Sequence, residues 1–325
     1  MATTLSGSSG GTVITTTTVP PSEAQGRLTL TSATPVLTAT VSAATTIYYA
    51  LYTGNLIPIY SGTAWSMTTF TELSNATAQS STGSAGPAVV ANNSNYDLFV
   101  WSNGGTLTLT RGPPFTSDTV RGTGVGTTEI SRVLGIWTNT VAITNGPGAG
   151  LGTYVGTVRS NGTATIDWKP NPAAAAGGGN ALLGVYNAYN KVDVVATSID
   201  STSTWNYSTN TWRAANGNNS NRISVIQGCQ EDYVEAQHVL LGSGNDGSST
   251  VWGYVGIGYN STSSPSGLTT QAGPQTRVST AAAAYYAVQP LGWNYFQALE
   301  TGNGSTTMVW YANSLYQTIS VRGGF

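Results

Sequence analysis

The amino-acid sequence predicts an all-β protein: an N-terminal arm, a β-rich sandwich or barrel domain, and a C-terminal jelly-roll sandwich. Three observations carry this. Short stretches alternating with period two recur roughly every ten to fifteen residues, with no long helical periodicity between them. Turn-forming residues punctuate those stretches, 40 Gly among them. Charged residues make up 7% of the chain, against about 25% in ordinary globular domains, and Ser, Thr, Asn and Gly take their place.

The elements follow in chain order. Residues 1–21 are Thr/Ser/Gly-rich, close on Pro20-Pro21, and hold too little apolar surface to offset their own ordering entropy. They read as an attachment arm that is disordered or pairs with another chain. Strands are expected at 27–31, 36–41, 45–52 and 56–60, with a hairpin turn at 61–65. A polar connection spans 76–87. Residues 96–101 and 106–110 form a hairpin across Asn103-Gly104-Gly105, whose residues accept positive φ. Strands at 134–143, 152–158 and 163–168 complete a domain spanning 22–170. Residues 171–179 have neither charge nor aromatic and end in three glycines, so they read as a linker. The second domain, 180–325, carries strands at 182–189, 192–199, 205–212, 222–227, 251–259, 281–288, 295–299, 307–311 and 316–321. The Ala281–Ala284 run is the main helix candidate, but Tyr285-Tyr286-Ala287-Val288 favours a strand entering the core.

Composition excludes several function classes. The net charge is −2 and no Lys/Arg run exists, so no nucleic-acid partner is expected. No apolar run approaches the ~20 residues of a membrane span, and residues 1–11 lack the basic and apolar regions of a signal peptide. A soluble protein made in a cytoplasm is expected. The lone Cys229 has no Cys or His near it in sequence and reads as a small, half-buried hydrophobe; no metal or cofactor is expected.

Titratable groups are few and scattered, which argues against an enzyme. The densest cluster is Glu231-Asp232-Tyr233-Val234-Glu235 with His238. Strand spacing puts Glu231, Tyr233 and Glu235 on one face and His238 on the other, so the segment reads as a solvated loop or edge strand. Asp193 and Asp200 lie too far apart along a strand, over roughly 20 Å, to act as a glycosidase pair. Asn245-Asp246-Gly247 is a turn, since a calcium loop needs more oxygen ligands. Gly122-Thr123-Gly124-Val125-Gly126 lacks the Lys of a phosphate loop and reads as a plain loop. Arg111, Arg121 and Arg132 should have fixed carboxylate partners, with Asp118 and Glu129 nearest in sequence. The pairs Trp205/Tyr207, Trp252/Tyr254 and Trp293/Tyr295 each place two aromatics on one strand face. They are candidates for core, for a subunit interface or for a glycan-stacking platform.

Two stretches carry a resemblance. One runs from Thr45-Thr46-Ile47-Tyr48-Tyr49 to Leu56-Ile57-Pro58-Ile59-Tyr60. The other combines Tyr96-Asp97-Leu98-Phe99-Val100-Trp101, Leu107-Thr108-Leu109-Thr110-Arg111-Gly112-Pro113 and Gly152-Thr153-Tyr154-Val155-Gly156-Thr157-Val158-Arg159. Together they resemble structural proteins of tailed bacteriophages and prophages. The C-terminal Leu291-Gly292-Trp293-Asn294-Tyr295-Phe296 and Thr306-Thr307-Met308-Val309-Trp310-Tyr311 look like the last strands of a trimeric jelly roll of the tumour-necrosis-factor/C1q-like type. The resemblance implies a virion protein, a tail or head fibre subunit, homotrimeric, joined to other virion proteins through its arm and touching a host-surface glycan. The alternatives are a capsid decoration protein and, behind it, a polysaccharide-degrading tailspike.

Overall fold

The structure, a computed structural model, describes residues 21–80, 84–244, 251–272, 278–314 and 317–325. The predicted arm therefore lies outside the described residues except for Pro21, and so does the Asn245-Asp246-Gly247 turn. The chain is all-β: it forms strands β1 to β25 and no α-helix among the described residues.

The first half is built from short antiparallel units. β1 (Gly26–Thr29), β3 (Thr46–Leu51) and β6 (Leu73–Ala76) form a small sheet, with Leu28 opposite Tyr49. β4 (Leu56–Tyr60) and β5 (Trp65–Thr69) form the hairpin expected around residues 61–65. β7 (Asn95–Asn103) and β8 (Thr106–Pro114) form the other expected hairpin. Gly104 and Gly105 at its tip have φ of 58° and 92°, the left-handed conformation that a two-residue hairpin turn requires. The sheet continues through β11 (Thr153–Arg159) to β10 (Ile136–Asn139) and β9 (Ile130–Val133). The expected strand at 134–143 is instead this second hairpin, turning at Leu134 and Gly135 (φ 49° and 92°).

The expected strand at 36–41 does not form; only Val41 is extended, as the start of β2 (Val41–Ala44). Side chains claim the backbone acceptors there. Arg27 Nε donates to Pro35 O and Trp168 Nε1 to Leu37 O, at 2.9 and 3.1 Å.

The expected strand at 182–189 is cut at Gly184 into β13 (Ala181–Leu183) and β14 (Val185–Asn187). β13 runs parallel to β18 (Arg222–Gln227), whereas β14 pairs with β11 in the other sheet. The chain changes sheets at one residue, and a Cβ there would lie 2.4 Å from Asp167 O. Only glycine fits. β12 (Ile166–Lys169) pairs with β13 across residues 171–179. That segment is itself tied down, Gly177 N–H to Asp200 Oδ1 at 2.9 Å and Gly179 N–H to Ser198 Oγ at 3.0 Å. Among the described residues, the larger of two hydrophobic clusters runs from Ala24 through Tyr49, Val158 and Phe296 to Phe325.

The second half is a two-layer sandwich. One layer orders β15 (Asp193–Ile199), β25 (Gln317–Gly324), β19 (Tyr233–Gly244), β22 (Ser279–Val288) and β21 (Ser266–Ala272). The other continues through β20 (Gly253–Tyr259), β23 (Gly292–Thr301) and β18 to β13, β12 and β2. A short pair, β16 (Thr204–Tyr207) with β24 (Met308–Tyr311), closes one end. The Ala281–Ala284 run lies in β22, a strand as its Tyr-Tyr-Ala-Val continuation favours. However, Tyr286 and Val288 face outward rather than entering the core.

β19, in the segment read as a solvated loop or edge strand, is an inner strand of 12 residues paired on both sides, with β22 and β25. Val234, Ala236, His238 and Leu240 are buried, and so are Gly242 and Ser243 near its end. The acidic residues beside them mask this alternation in the sequence.

Candidate functional site

The predicted aromatics have different fates. Trp205 is buried opposite Trp310 and donates its Nε1–H to Glu300 Oε2 at 2.7 Å. Arg213 Nε donates to the other oxygen at 2.9 Å. Burial raises the Glu300 carboxyl to about 7, against the opposing pull of Arg213 and Trp205. Tyr207 is half-buried under the Arg213 guanidinium, 3.7 Å from its ring centre. Trp252 and Tyr254 are half-buried and meet edge to face at 5.1 Å. Trp293 and Tyr295 point to the outer side of β23, half-buried, beneath Arg159 and Arg222 at 5.4 and 4.9 Å.

The arginines find partners that the sequence order hides. Arg121 pairs with fully buried Asp97, and Arg132 with Glu231, rather than with Asp118 or Glu129. Arg111 is buried and donates to Asn75 Oδ1 and to the carbonyls of Ala76 and Ala88; burial lowers its pKa to about 10. Asp118 instead accepts from Arg159 at 2.5 Å, and Glu129 accepts the Gly124 N–H at 2.8 Å within the glycine-rich loop.

The acidic cluster separates into unlike groups. Glu231 is an exposed partner of Arg132. Asp232 is mostly buried and accepts from Lys191 Nζ, Tyr186 Oη and Gln227 Nε2 at 2.7, 2.7 and 2.6 Å, so it is not a solvated charge. His238 faces the opposite side of β19 from Glu235, fully buried, its Nδ1 3.1 Å from Gly256 O. Asp193 pairs with Arg322 at the surface. Asp200 is buried in another place; burial opposes its ionisation, yet hydrogen bonds from Thr202, Asn221 and Asn216 hold its carboxyl below the usual range. Cys229 is buried, which pushes its thiol up to about 11. Among the described residues no group of His, Cys, Asp and Glu is placed to hold a metal ion.

The outer face of β15-β25-β19-β22-β21 exposes five large hydrophobic side chains. Its rows run Val195–Arg322–Glu235–Tyr286, then Thr197–Ser320–Gln237–Ala284–Leu268, then Ile199–Thr318–Val239–Ala282. Tyr233 and Val288 lie at the end of the face. Exposure is 50% at Val195, 56% at Tyr233, 67% at Leu268, 49% at Tyr286 and 57% at Val288. The Tyr233 and Tyr286 rings stack at 6.4 Å. Arg322 pairs with Asp193 at 2.8 Å and is drawn toward Glu235 as well, so two carboxylates share one guanidinium on this face. In the sequence Asp193, Tyr233 and Glu235 drew notice only as carboxylates or their neighbour, and Val195, Leu268, Tyr286 and Val288 did not stand out as a site. The signal was there in part: 284, 286 and 288 alternate with buried alanines at 281 and 283.

No protein-family model matches the chain, and neither a curated protein nor a solved structure matches it.

Proposed function

We propose that this chain is a structural subunit of a bacteriophage virion, a tail or head fibre or a related appendage. It works by assembly rather than by catalysis. It forms a homotrimer through the outer face of the β15–β21 layer, takes its place on the particle through residues 1–21, and presents its remaining surface to the host. The observation that carries the reading is that outer face. Five strands display Tyr, Val, Leu, Ala and Thr side chains to solvent, in a pattern typical of a surface meant to be covered. Its charges are few, two carboxylates sharing the Arg322 guanidinium. The sequence stretches that resemble phage structural proteins, the jelly-roll-like second half and the low charge content support the same reading.

Light scattering at micromolar concentration tests it: the chain should run as a trimer. Tyr286→Arg combined with Val195→Arg should give a folded monomer. A monomeric wild-type chain sinks the assembly reading. Labelled antibody on intact particles, seen by electron microscopy, tests the virion reading separately; particles that carry no label refute it.

A further inference from the structure

Trp293 borders a cleft of about 200 Å³ on the other layer of the sandwich, where β23 meets the end of β11 and the loop that follows it. Leu182, Asn93, Asn161, Asp167 and Arg159 line it with Trp293. These residues come from five separated parts of the chain, and hydrogen bonds fix the side chains of Asn161, Asp167 and Arg159. Asn161 Oδ1 accepts the Thr163 and Thr165 N–H groups at 2.9 and 3.2 Å, while its Nδ2 donates to Asp167 Oδ2 at 2.9 Å. Asp167 Oδ1 accepts the Ala43 N–H at 2.8 Å. Arg159 Nη1 donates to Asn95 Oδ1 and Asp118 Oδ1 at 3.1 and 2.5 Å. The cleft is thus preformed, which lowers the ordering cost of binding.

Three properties define what fits it. First, its charges cancel: Arg159 is matched by Asp118, and Asp167 by Lys169 at 3.5 Å. A phosphate or a polyanion would find no surplus cation. Second, donors and acceptors remain on its rim. The hydrogen bonds of Arg159 leave from Nη1, so Nε and Nη2 are left over among the described residues. The exposed Asn93 amide, with both a donor and an acceptor, has no partner there. Third, Leu182 and the exposed part of the Trp293 indole, whose ring lies 5.4 Å from the Arg159 guanidinium, supply an apolar edge beside those groups. The volume corresponds to roughly six or seven water molecules, room for one ring with the rest of a chain outside.

We infer that this cleft is a binding subsite for one uncharged sugar ring of a polysaccharide, its C–H face against Trp293 and Leu182 and its hydroxyls on Asn93 and Arg159. The inference rests on the attachment half of the proposed function for its setting and is independent of the trimer face.

The test is a titration of the full-length chain with glucose, galactose, N-acetylglucosamine and their short oligomers, followed by tryptophan fluorescence and by NMR shifts of the indole and Asn side-chain signals. N-acetylneuraminic acid and inorganic phosphate serve as charged probes. At least one neutral sugar should give saturable shifts confined to Trp293, Asn93 and their neighbours. Asn93→Gly, which suits the left-handed φ of 49° at this exposed position and removes no side-chain bond, should weaken that binding severalfold with little change in the melting temperature. Trp293→Ala should abolish it. The inference is overturned by no saturable change with any neutral sugar, by tighter binding of the charged probes, or by shifts that Asn93→Gly leaves intact. Because the titration uses the free protein, these outcomes are read apart from whether antibody labels the particle.

Discussion

His238 is the chain's single histidine, and its burial predicts a specific dependence of stability on pH. It lies on the inward face of β19 with no solvent exposure. Gly256 O accepts from Nδ1, which fixes the neutral tautomer, and Nε2 has no partner among the described residues. Removal from water drives its pKa from 6.5 to about 4, the Gly256 carbonyl opposing only weakly. The unfolded chain therefore binds a proton through this window while the folded chain does not. Its contribution to stability is complete above the unfolded value and is lost as the pH falls. The gap implies a loss of roughly 3 kcal/mol by about pH 4. Urea unfolding of wild type and His238→Asn at a series of pH values isolates the effect, because the carboxylates titrate in both proteins. Asn keeps a short amide donor toward Gly256 O and does not titrate. The wild type should lose stability more steeply between neutral pH and pH 4, the two curves converging as the medium acidifies. Curves that stay parallel would refute a buried neutral imidazole at this position.

Two further predictions contrast charges that look alike in the sequence. Asp97→Ala strands Arg121, which loses both its bonds to the carboxylate, and leaves the Thr157 hydroxyl without its acceptor; it should cost about 3–5 kcal/mol, whereas Asp193→Ala, breaking a pair more than half exposed at both ends, should cost at most about 1 kcal/mol. Equal shifts in the urea midpoints of the two variants would contradict this. Asp232→Ala leaves Lys191, Tyr186 and Gln227 with donors facing an empty site and should destabilise by about 1–3 kcal/mol, while the adjacent Glu231→Ala should stay within about 1 kcal/mol; thermal melts of the two variants that coincide would mean Asp232 is as solvated as its neighbour.

The buried positions of β19 show why local reading stops where it does. Alternation is a property of a few consecutive residues, so 27–31 and 106–110 announced themselves, whereas 36–41 alternates likewise and forms no strand; Asn103-Gly104-Gly105 fixed a turn from its own backbone preferences. In β19 the same alternation was hidden by Glu231 and Asp232 just before it and by Glu235 within it, and it was visible only once β22 and β25 had been placed on either side. The aromatic pairs were legible as pairs, and Trp293 was marked as a candidate. Its companions Asn93, Arg159 and Asp167 were not, since they belong to other strands and loops.

By itself, then, the sequence determined the β class, the hairpins and the shortage of titratable groups, all of which follow from composition and short-range stereochemistry. The tertiary structure decided which carboxylate each arginine meets, such as Asp97 for Arg121 across 24 residues, and which face of β22 stays open to solvent. It also decided that the chain crosses between sheets at Gly184, where Asp167 O leaves no room for a side chain. Those outcomes depend on contacts between strands far apart in the chain, and a pattern with a period of two residues carries no information about them.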